Sequence, residues 1–470
     1  MRTLETLLPI VLAVWVAWPL LTGVRRRPLG HLVAVIAAVV AGVHLLTEGY
    51  RWQMVPLYGF SGIALVLAIW DTVDPPEEPA PARSRIGAGF GSAGLTALLL
   101  ATALPWALPV VELPEPPGDY PIGVVTLGLA DAGRAETYGP APGDPREVVL
   151  HVWYPADPTP GAEPAPWTDS PEVVGPALAR QLGFPGFFFD HAEYTEGHAV
   201  AEAPAATGGP FPVVLYSHGW TGAAGLAVDQ LEALASRGYI VAAPDHTFGA
   251  FATVFPDGRV FEVDRNALPE EDDVLPEVYD AAAQQLIATY AADLAFVLDS
   301  LPDLDTPFRQ QLDLDRVGVF GHSTGGGAAA LWCAGDDRCD AVLGLDPWVE
   351  PVPADVIAEG LDRPFLFFRS EEWTEYDNDA VLRMFFEAGE SPGYWMSADG
   401  SNHKDFVVAA YFSPIASWIG LKGPIDGEQM SEILDAYLAG FFGEFLRGAS
   451  TGILAGVPER FPEVRFEARS

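Results

Sequence analysis

The chain has 470 residues, enough for more than one domain, and 49% of them are apolar. Against 64 Asp and Glu stand 25 Lys and Arg, a formal net charge of −39 with lysine only at Lys404 and Lys422, so phosphate would be repelled and nucleic acid is excluded as a partner. The two cysteines, Cys333 and Cys339, exclude a disulfide framework and a cysteine-built zinc site; an oxidising compartment would let them close a small loop, and elsewhere they are two inert thiols.

Residues 1–111 hold most of the charge-free stretches. Segments 6–24, 28–47, 52–70 and 86–111 each approach the length of about 20 residues that a membrane-crossing helix needs. Trp15, Trp18, Trp52, Trp70 and Trp106 lie in or at the ends of these segments, where interfacial aromatics belong. A cleaved signal peptide would account for the first segment only. The reading is an all-α four-helix transmembrane region over 1–111. Arg25, Arg26 and Arg27 follow the first segment and Arg83 and Arg85 precede the fourth, so the positive-inside bias puts both loops in the cytoplasm and both termini outside. His31, His44 and Glu48 raise a proton path as an alternative, but no central acidic residue marks one, and an anchor is preferred.

Residues 112–120 form a proline-rich acidic linker, "ELPEPPGDY". From 121 to 447 strands and helices alternate. Strands are expected at 147–155, 212–219, 239–246, 316–323, 341–348 and 364–370, and helices at 225–237, 277–301, 325–334 and 428–447. Strands apolar on both faces and separated by helices predict an α/β fold, a largely parallel sheet with helices on both faces. Two stretches, 156–208 and 247–275, break the alternation and read as lid-like insertions; 448–470 reads as a carboxyl-terminal tail.

Within "RVGVFGHSTGGGAAALW", Gly321-His322-Ser323-Thr324-Gly325 fits the G-x-S-x-G nucleophile elbow in its strand–turn–helix context. The turn is tight enough that side chains at Gly321 and Gly325 would collide, and the helix start favours developing negative charge at Ser323. A serine hydroxyl needs a base to take its proton. In this architecture the order is serine, acid, histidine, and His403 is the only histidine after Ser323. For the acid, Asp346 at the end of "AVLGLD" is favoured, because the carboxylate should be buried and hydrogen-bonded; Glu371 and Glu372 are the alternatives, in "RSEEWTEYDND", which reads as a solvated acidic loop. "LYSHGWTG" at 215–222 offers the Trp220 amide, with that of Thr324, as an oxyanion hole; His218 and His322 read as scaffold, and Asp245 and His246 as pocket rim or packing.

The ordered set "YPIGVVTL", "VVLYSHGWTG", "ASRGYIVAAPDH", "GHSTGGG", "GLDPW", "PFLFFRSEEW" and "GSNHKDF" resembles the plasma-type platelet-activating-factor acetylhydrolases and bacterial relatives called predicted dienelactone hydrolases. The resemblance covers most of 120–447. It implies an α/β-hydrolase fold, a Ser323–Asp346–His403 triad, backbone donors at Trp220 and Thr324, no metal or other cofactor, and short-acyl or lipid-type esters as substrates. Position 324 is threonine where the animal members carry an aromatic, and the four apolar segments are absent from the secreted animal form. The expected activity is a membrane-anchored serine ester hydrolase working through an acyl-enzyme. Alternatives are a polyester, cutinase-like or dienelactone hydrolase, a lyase or acyltransferase using the same elbow, and a membrane transporter or sensor with a degenerate hydrolase domain.

Overall fold

In the computed structural model, which describes residues 1–22, 27–74, 85–456 and 459–469, the amino-terminal apolar segments are the helices α1 (Thr3–Thr22), α2 (Arg27–Thr47), α3 (Val55–Val73) and α4 (Arg85–Ala107). Contacts divide the chain into two compact units: Met1–Val111 with Phe412–Ile415, and Glu112–Tyr411 with Ala416–Ser470.

In the first unit the buried cluster includes Leu8, Leu12, Ala37, Val40, Leu57 and Ala101. Polar side chains pair at the ends of its helices. Glu5 receives Arg2 and Arg51, His44 Nε2 lies 3.6 Å from the carboxylates of both Glu5 and Glu48, and His31 Nε2 lies 3.0 Å from Asp71. Burying the Glu5 carboxylate is tolerable here because two guanidinium groups face it. Arg25, Arg26 and Arg83 lie outside the described residues.

The second unit is built on one sheet. Its elements in chain order are β1 (Ile122–Ala135), β2 (Pro145–Pro155), α5 (Pro171–Gln181), β3 (Val200–Ala201), β4 (Phe211–Ser217), α6 (Val228–Ser236), β5 (Ile240–Asp245), β6 (Ala252–Val254), β7 (Val260–Glu262), α7 (Pro276–Ser300), β8 (Leu312–His322), α8 (Thr324–Gly335), β9 (Cys339–Leu345), α9 (Ala354–Glu359), β10 (Phe365–Ser370), α10 (Asp377–Ala388), β11 (Gly393–Ala398), α11 (Gly427–Arg447) and β12 (Val464–Arg469). The sheet order is β12-β11-β10-β9-β8-β4-β5-β2-β1-β3, with β5-β4-β8-β9-β10-β11 mutually parallel and antiparallel pairs at β5-β2, β2-β1 and β11-β12. β4, β5 and β10 are buried at every position, as strands covered on both faces must be. This is the α/β-hydrolase arrangement the sequence predicts.

Three described helices are long and apolar enough to cross a membrane: Pro28–Thr47, Trp52–Val73 and Pro276–Asp303. The third contains α7, whose Ala283, Leu286, Ile287, Tyr290, Leu294, Val297 and Leu298 are buried at helical spacing, while Glu277, Asp280 and Ala281 are exposed. It is a core helix of the sheet domain, amphipathic in the ordinary way.

Six of the described strands escaped the sequence pattern; two of them, β6 and β7, pair only with each other inside the 247–275 stretch. β1 is glycine-rich and exposes its second half, β3 has two residues, β11 is a six-residue run that opens on a glycine after Pro392, and β12 alternates charged with apolar residues, so none reads as a continuous apolar run. Because β12 pairs with β11, residues 448–470 contribute an edge strand to the sheet, where the sequence suggested only a tail. The 156–208 stretch contributes β3 to the opposite edge and is tied down by His198, whose Nδ1 lies 2.8 Å from Glu232 of α6. Cys333 and Cys339 form a disulfide.

Candidate active site

The carboxyl ends of the parallel strands face one edge of the sheet, and the predicted residues collect there. In open α/β sheets this is where ligands bind. Ser323 stands between β8 and α8 with φ 57° and ψ −122°, a conformation an L residue holds only where its surroundings enforce it. The enforcing contacts are backbone: Ser323 N–H donates to the Leu345 carbonyl at 2.9 Å, and the Ser323 carbonyl accepts from Trp348 N–H at 2.9 Å and Gly327 N–H at 3.1 Å. A Cβ at Gly321 would run into the Gly325 carbonyl, and one at Gly325 into the Ser217 carbonyl. The glycines therefore let the strand, the turn and β4 approach one another.

Asp346 follows β9, fully buried and also at positive φ, 43°. It accepts three hydrogen bonds: Ser370 N–H on Oδ1 at 2.6 Å, Ser370 Oγ–H on Oδ2 at 2.6 Å, and His403 Nδ1–H on Oδ2 at 2.9 Å. Burial pushes the Asp346 carboxyl up and the His403 imidazole down; the Ser370 donors act against the first shift and the nearby Glu372 carboxylate against the second. His403 opens a short 3-10 turn, His403–Phe406, capped by Asn402 and Asp405.

The two alternative acids have other partners. Glu371 Oε2 accepts the Gly400 N–H at 2.5 Å and Glu372 Oε2 the His403 backbone N–H at 3.1 Å. The acidic loop is thus a cradle for the 400–403 turn. Ser370 and Trp373 were missed by sequence reasoning. Ser370 could have been found from its place at the end of the apolar strand "PFLFFRS", the same positional signal that singles out Asp346.

Gly219 sits against the serine, since a Cβ built on it would lie 3.0 Å from Ser323 Cβ. The Gly219 carbonyl accepts from His218 Nδ1–H at 2.7 Å and from Gly222 N–H at 2.9 Å. In a planar trans peptide the Trp220 N–H must point the opposite way. His218 Nε2 accepts the His246 backbone N–H at 3.0 Å, so one proton on Nδ1 is dictated; burial, with His246 second, lowers His218 to about 3 and keeps it neutral. Thr324 opens α8, where N–H groups have no intrahelical partner.

Beneath this loop lies a buried array. His246 Nδ1–H donates to Asp293 Oδ2 at 2.9 Å, its Nε2 accepts from Ser217 Oγ–H at 2.8 Å, and Asp293 is paired with Arg146 at 2.7 Å. Ser217, His246 and Asp293 have no exposed surface, so the array braces the loop and meets no substrate. Asp245 instead contacts His151 at 3.2 Å and accepts Ala224 N–H at 2.7 Å. His322 Nε2–H donates to the His403 carbonyl at 2.9 Å; burial, then His403, lowers its own pKa to about 3.

The chain is similar to known proteins. The sequence pattern of the family described as platelet-activating factor acetylhydrolase, isoform II, matches residues 109–267 and 291–446. The platelet-activating factor acetylhydrolase of Cavia porcellus is 24% identical over 318 residues, 63% of this chain and 72% of its own; that of Canis lupus familiaris is 24% identical over 345 residues, 67% and 73%. A ferulic acid esterase from Streptomyces cinnamoneus superposes with a TM-score of 0.63 at 28% identity, over 76% of this chain and 99% of its own. With more than half of its length matched, and acetylhydrolases and an esterase among the proteins it resembles, this chain belongs to the platelet-activating factor acetylhydrolase, isoform II, family and is a carboxylic ester hydrolase.

Proposed function

We propose that the protein is a membrane-anchored serine esterase that cleaves short-acyl or lipid-type esters through Ser323, His403 and Asp346. The observation that carries this reading is the His403–Asp346 hydrogen bond at the strand edge where Ser323 stands at positive φ. As Ser323 Oγ attacks the acyl carbon, His403 Nε2 takes its proton and the carbonyl electron pair moves to oxygen, held by the Trp220 and Thr324 N–H groups. The imidazolium, steadied by Asp346, returns the proton to the leaving alcohol, and an acyl-enzyme remains. Water, deprotonated by the same imidazole, then attacks; the acid departs and Ser323 regains its proton.

The membrane assignment rests on the first unit's surface. Beside the buried cluster, many of its large apolar side chains point outward, with Leu46 86%, Leu99 71%, Leu100 67% and Val66 62% exposed, while Ala34, Ala37 and Ala64 are fully buried. Exposed large apolar side chains, with small residues among those at the helix contacts, are what lipid-facing helices require. The hydrolase unit is assigned to the extracytoplasmic side, and the Cys333–Cys339 disulfide suits that oxidising compartment.

The test uses the full chain in detergent micelles with p-nitrophenyl esters of graded length and a fluorophosphonate probe. The wild type should turn over and be labelled; Ser323→Ala should lose both, turnover falling at least about a thousandfold. Turnover that survives Ser323→Ala would remove the triad, and release of the chain from membranes by alkaline carbonate would remove the anchor. A second reading, an esterase for aromatic acyl groups, is favoured by the likeness to the ferulic acid esterase and predicts methyl ferulate as a better substrate than acetyl esters.

A further inference from the structure

The ring of His403 has two aromatic neighbours that the triad leaves unassigned. The Trp373 indole lies parallel to it, with ring centroids 4.5 Å apart and an interplanar angle of 6°; the His322 imidazole lies 4.4 Å away, tilted by 34°. Trp373 is fixed from behind, because its backbone N–H donates to Ser370 Oγ at 3.2 Å, and the same hydroxyl donates to Asp346. One serine therefore sets both the carboxylate at the edge of the imidazole and the indole over its face.

We propose that Trp373 is a positioning residue for ester hydrolysis, its indole face holding the His403 ring in line with Asp346 and favouring the imidazolium that forms as Ser323 gives up its proton. The inference rests on the triad reading above.

The physical reason is a difference between two charge states. A neutral imidazole gains only dispersion from a parallel indole, whereas an imidazolium is also drawn to the electron-rich ring face. That attraction grows during proton transfer, so it lowers the barrier instead of merely tightening the ground state. The bookkeeping of the step is unchanged: the Ser323 O–H bond breaks, a His403 Nε2–H bond and an ester–Oγ bond form, and the displaced electron pair resides on the carbonyl oxygen. The charged and titratable groups facing His403 are Asp346 at Nδ1, Glu372 at its backbone N–H, His322, and Lys404 next in the chain. Burial disfavours charge on His403, which is the condition under which a ring face matters most.

The experiment compares full-chain wild type, Trp373→Leu and Trp373→Phe in micelles, following kcat and KM for p-nitrophenyl acetate and the pH profile of kcat/KM. Leucine keeps the ring face covered but removes the quadrupole. The expected result is a kcat about 3- to 30-fold lower for Trp373→Leu with KM little changed, the acid limb moved to lower pH, and Trp373→Phe between the two. A role in packing alone would lower the melting temperature and leave the limb in place. An unshifted limb, or one moved upward as solvent reaches the imidazole, overturns the proposal. If Trp373→Leu fails to fold, Trp373→Phe must still shift the limb downward. Ser323→Ala in the same assay separates the failures: activity without Ser323 sinks the triad itself, whereas a dead Ser323→Ala beside an unshifted Trp373→Leu sinks only the part given to Trp373.

Discussion

Ser370 grips Asp346 at both carboxylate oxygens, through its backbone N–H on Oδ1 and its hydroxyl on Oδ2, each at 2.6 Å. Only the second of these contacts depends on the side chain. Ser370→Ala should therefore leave Asp346 in place but turn less firmly, with kcat reduced about tenfold and stability lowered by about 1.5–3 kcal/mol, the worth of a hydrogen bond to a charged group. Steady-state kinetics and thermal unfolding of the same preparation check both figures. An unchanged kcat would mean that the backbone donor suffices.

His218 offers a test of the oxyanion loop. Its Nδ1–H holds the Gly219 carbonyl, and that carbonyl fixes which way the Trp220 N–H points. His218→Leu should lower kcat about 100-fold, within the range for losing one oxyanion donor, and leave KM nearly unchanged. His218→Asn keeps a donor near the position of Nδ1 and should recover part of the loss. Equal damage from both variants, with matching losses of melting temperature, would point to a packing role.

The pH dependence follows from the direction of the His403 shift. The base works as the neutral imidazole, and burial lowers its pKa below the ordinary value near 6.5. The active form therefore persists as pH falls past that value, and activity is lost only when pH drops through the lowered pKa. The acid limb of kcat/KM should lie below pH 6.5. A limb at or above that value would show that Asp346 and Glu372 outweigh burial.

The disulfide between Cys333 and Cys339 spans a sequence separation of 6, so it restricts only a short loop of the unfolded chain. Its loss by Cys333→Ala with Cys339→Ala should cost about 2 kcal/mol by loop entropy. Thermal unfolding with and without a thiol reductant measures it directly, and wild type insensitive to the reductant would place the stabilisation elsewhere. Ester hydrolysis at moderate temperature should be unaffected.

The serine elbow was legible because everything it needs is local: an apolar strand, small residues at Gly321 and Gly325, and a helix start. The acid was legible only as a preference: Asp346, Glu371 and Glu372 all follow strands, and Asp346 was favoured because its strand is the more apolar and the other two sit in an acidic loop. Three residues of one acidic run, Glu371, Glu372 and Trp373, read as solvated from their composition, yet each contacts the 400–403 turn. The composition of a loop does not reveal which distant turn it will meet. β12 went unread because its charged residues alternate with apolar ones, so it shows no continuous apolar run.

By itself the sequence determined the alternation of strand and helix, the glycine-framed serine and the separation of an apolar amino-terminal region from an acidic remainder, since each depends on neighbours within a few turns of chain. Tertiary structure decided which carboxylate reaches the imidazole, what braces the oxyanion loop and which ring lies over His403. Those contacts join residues 28 to 81 positions apart, and the parallel stacking of β8, β9 and β10 brings their carboxyl ends to one edge.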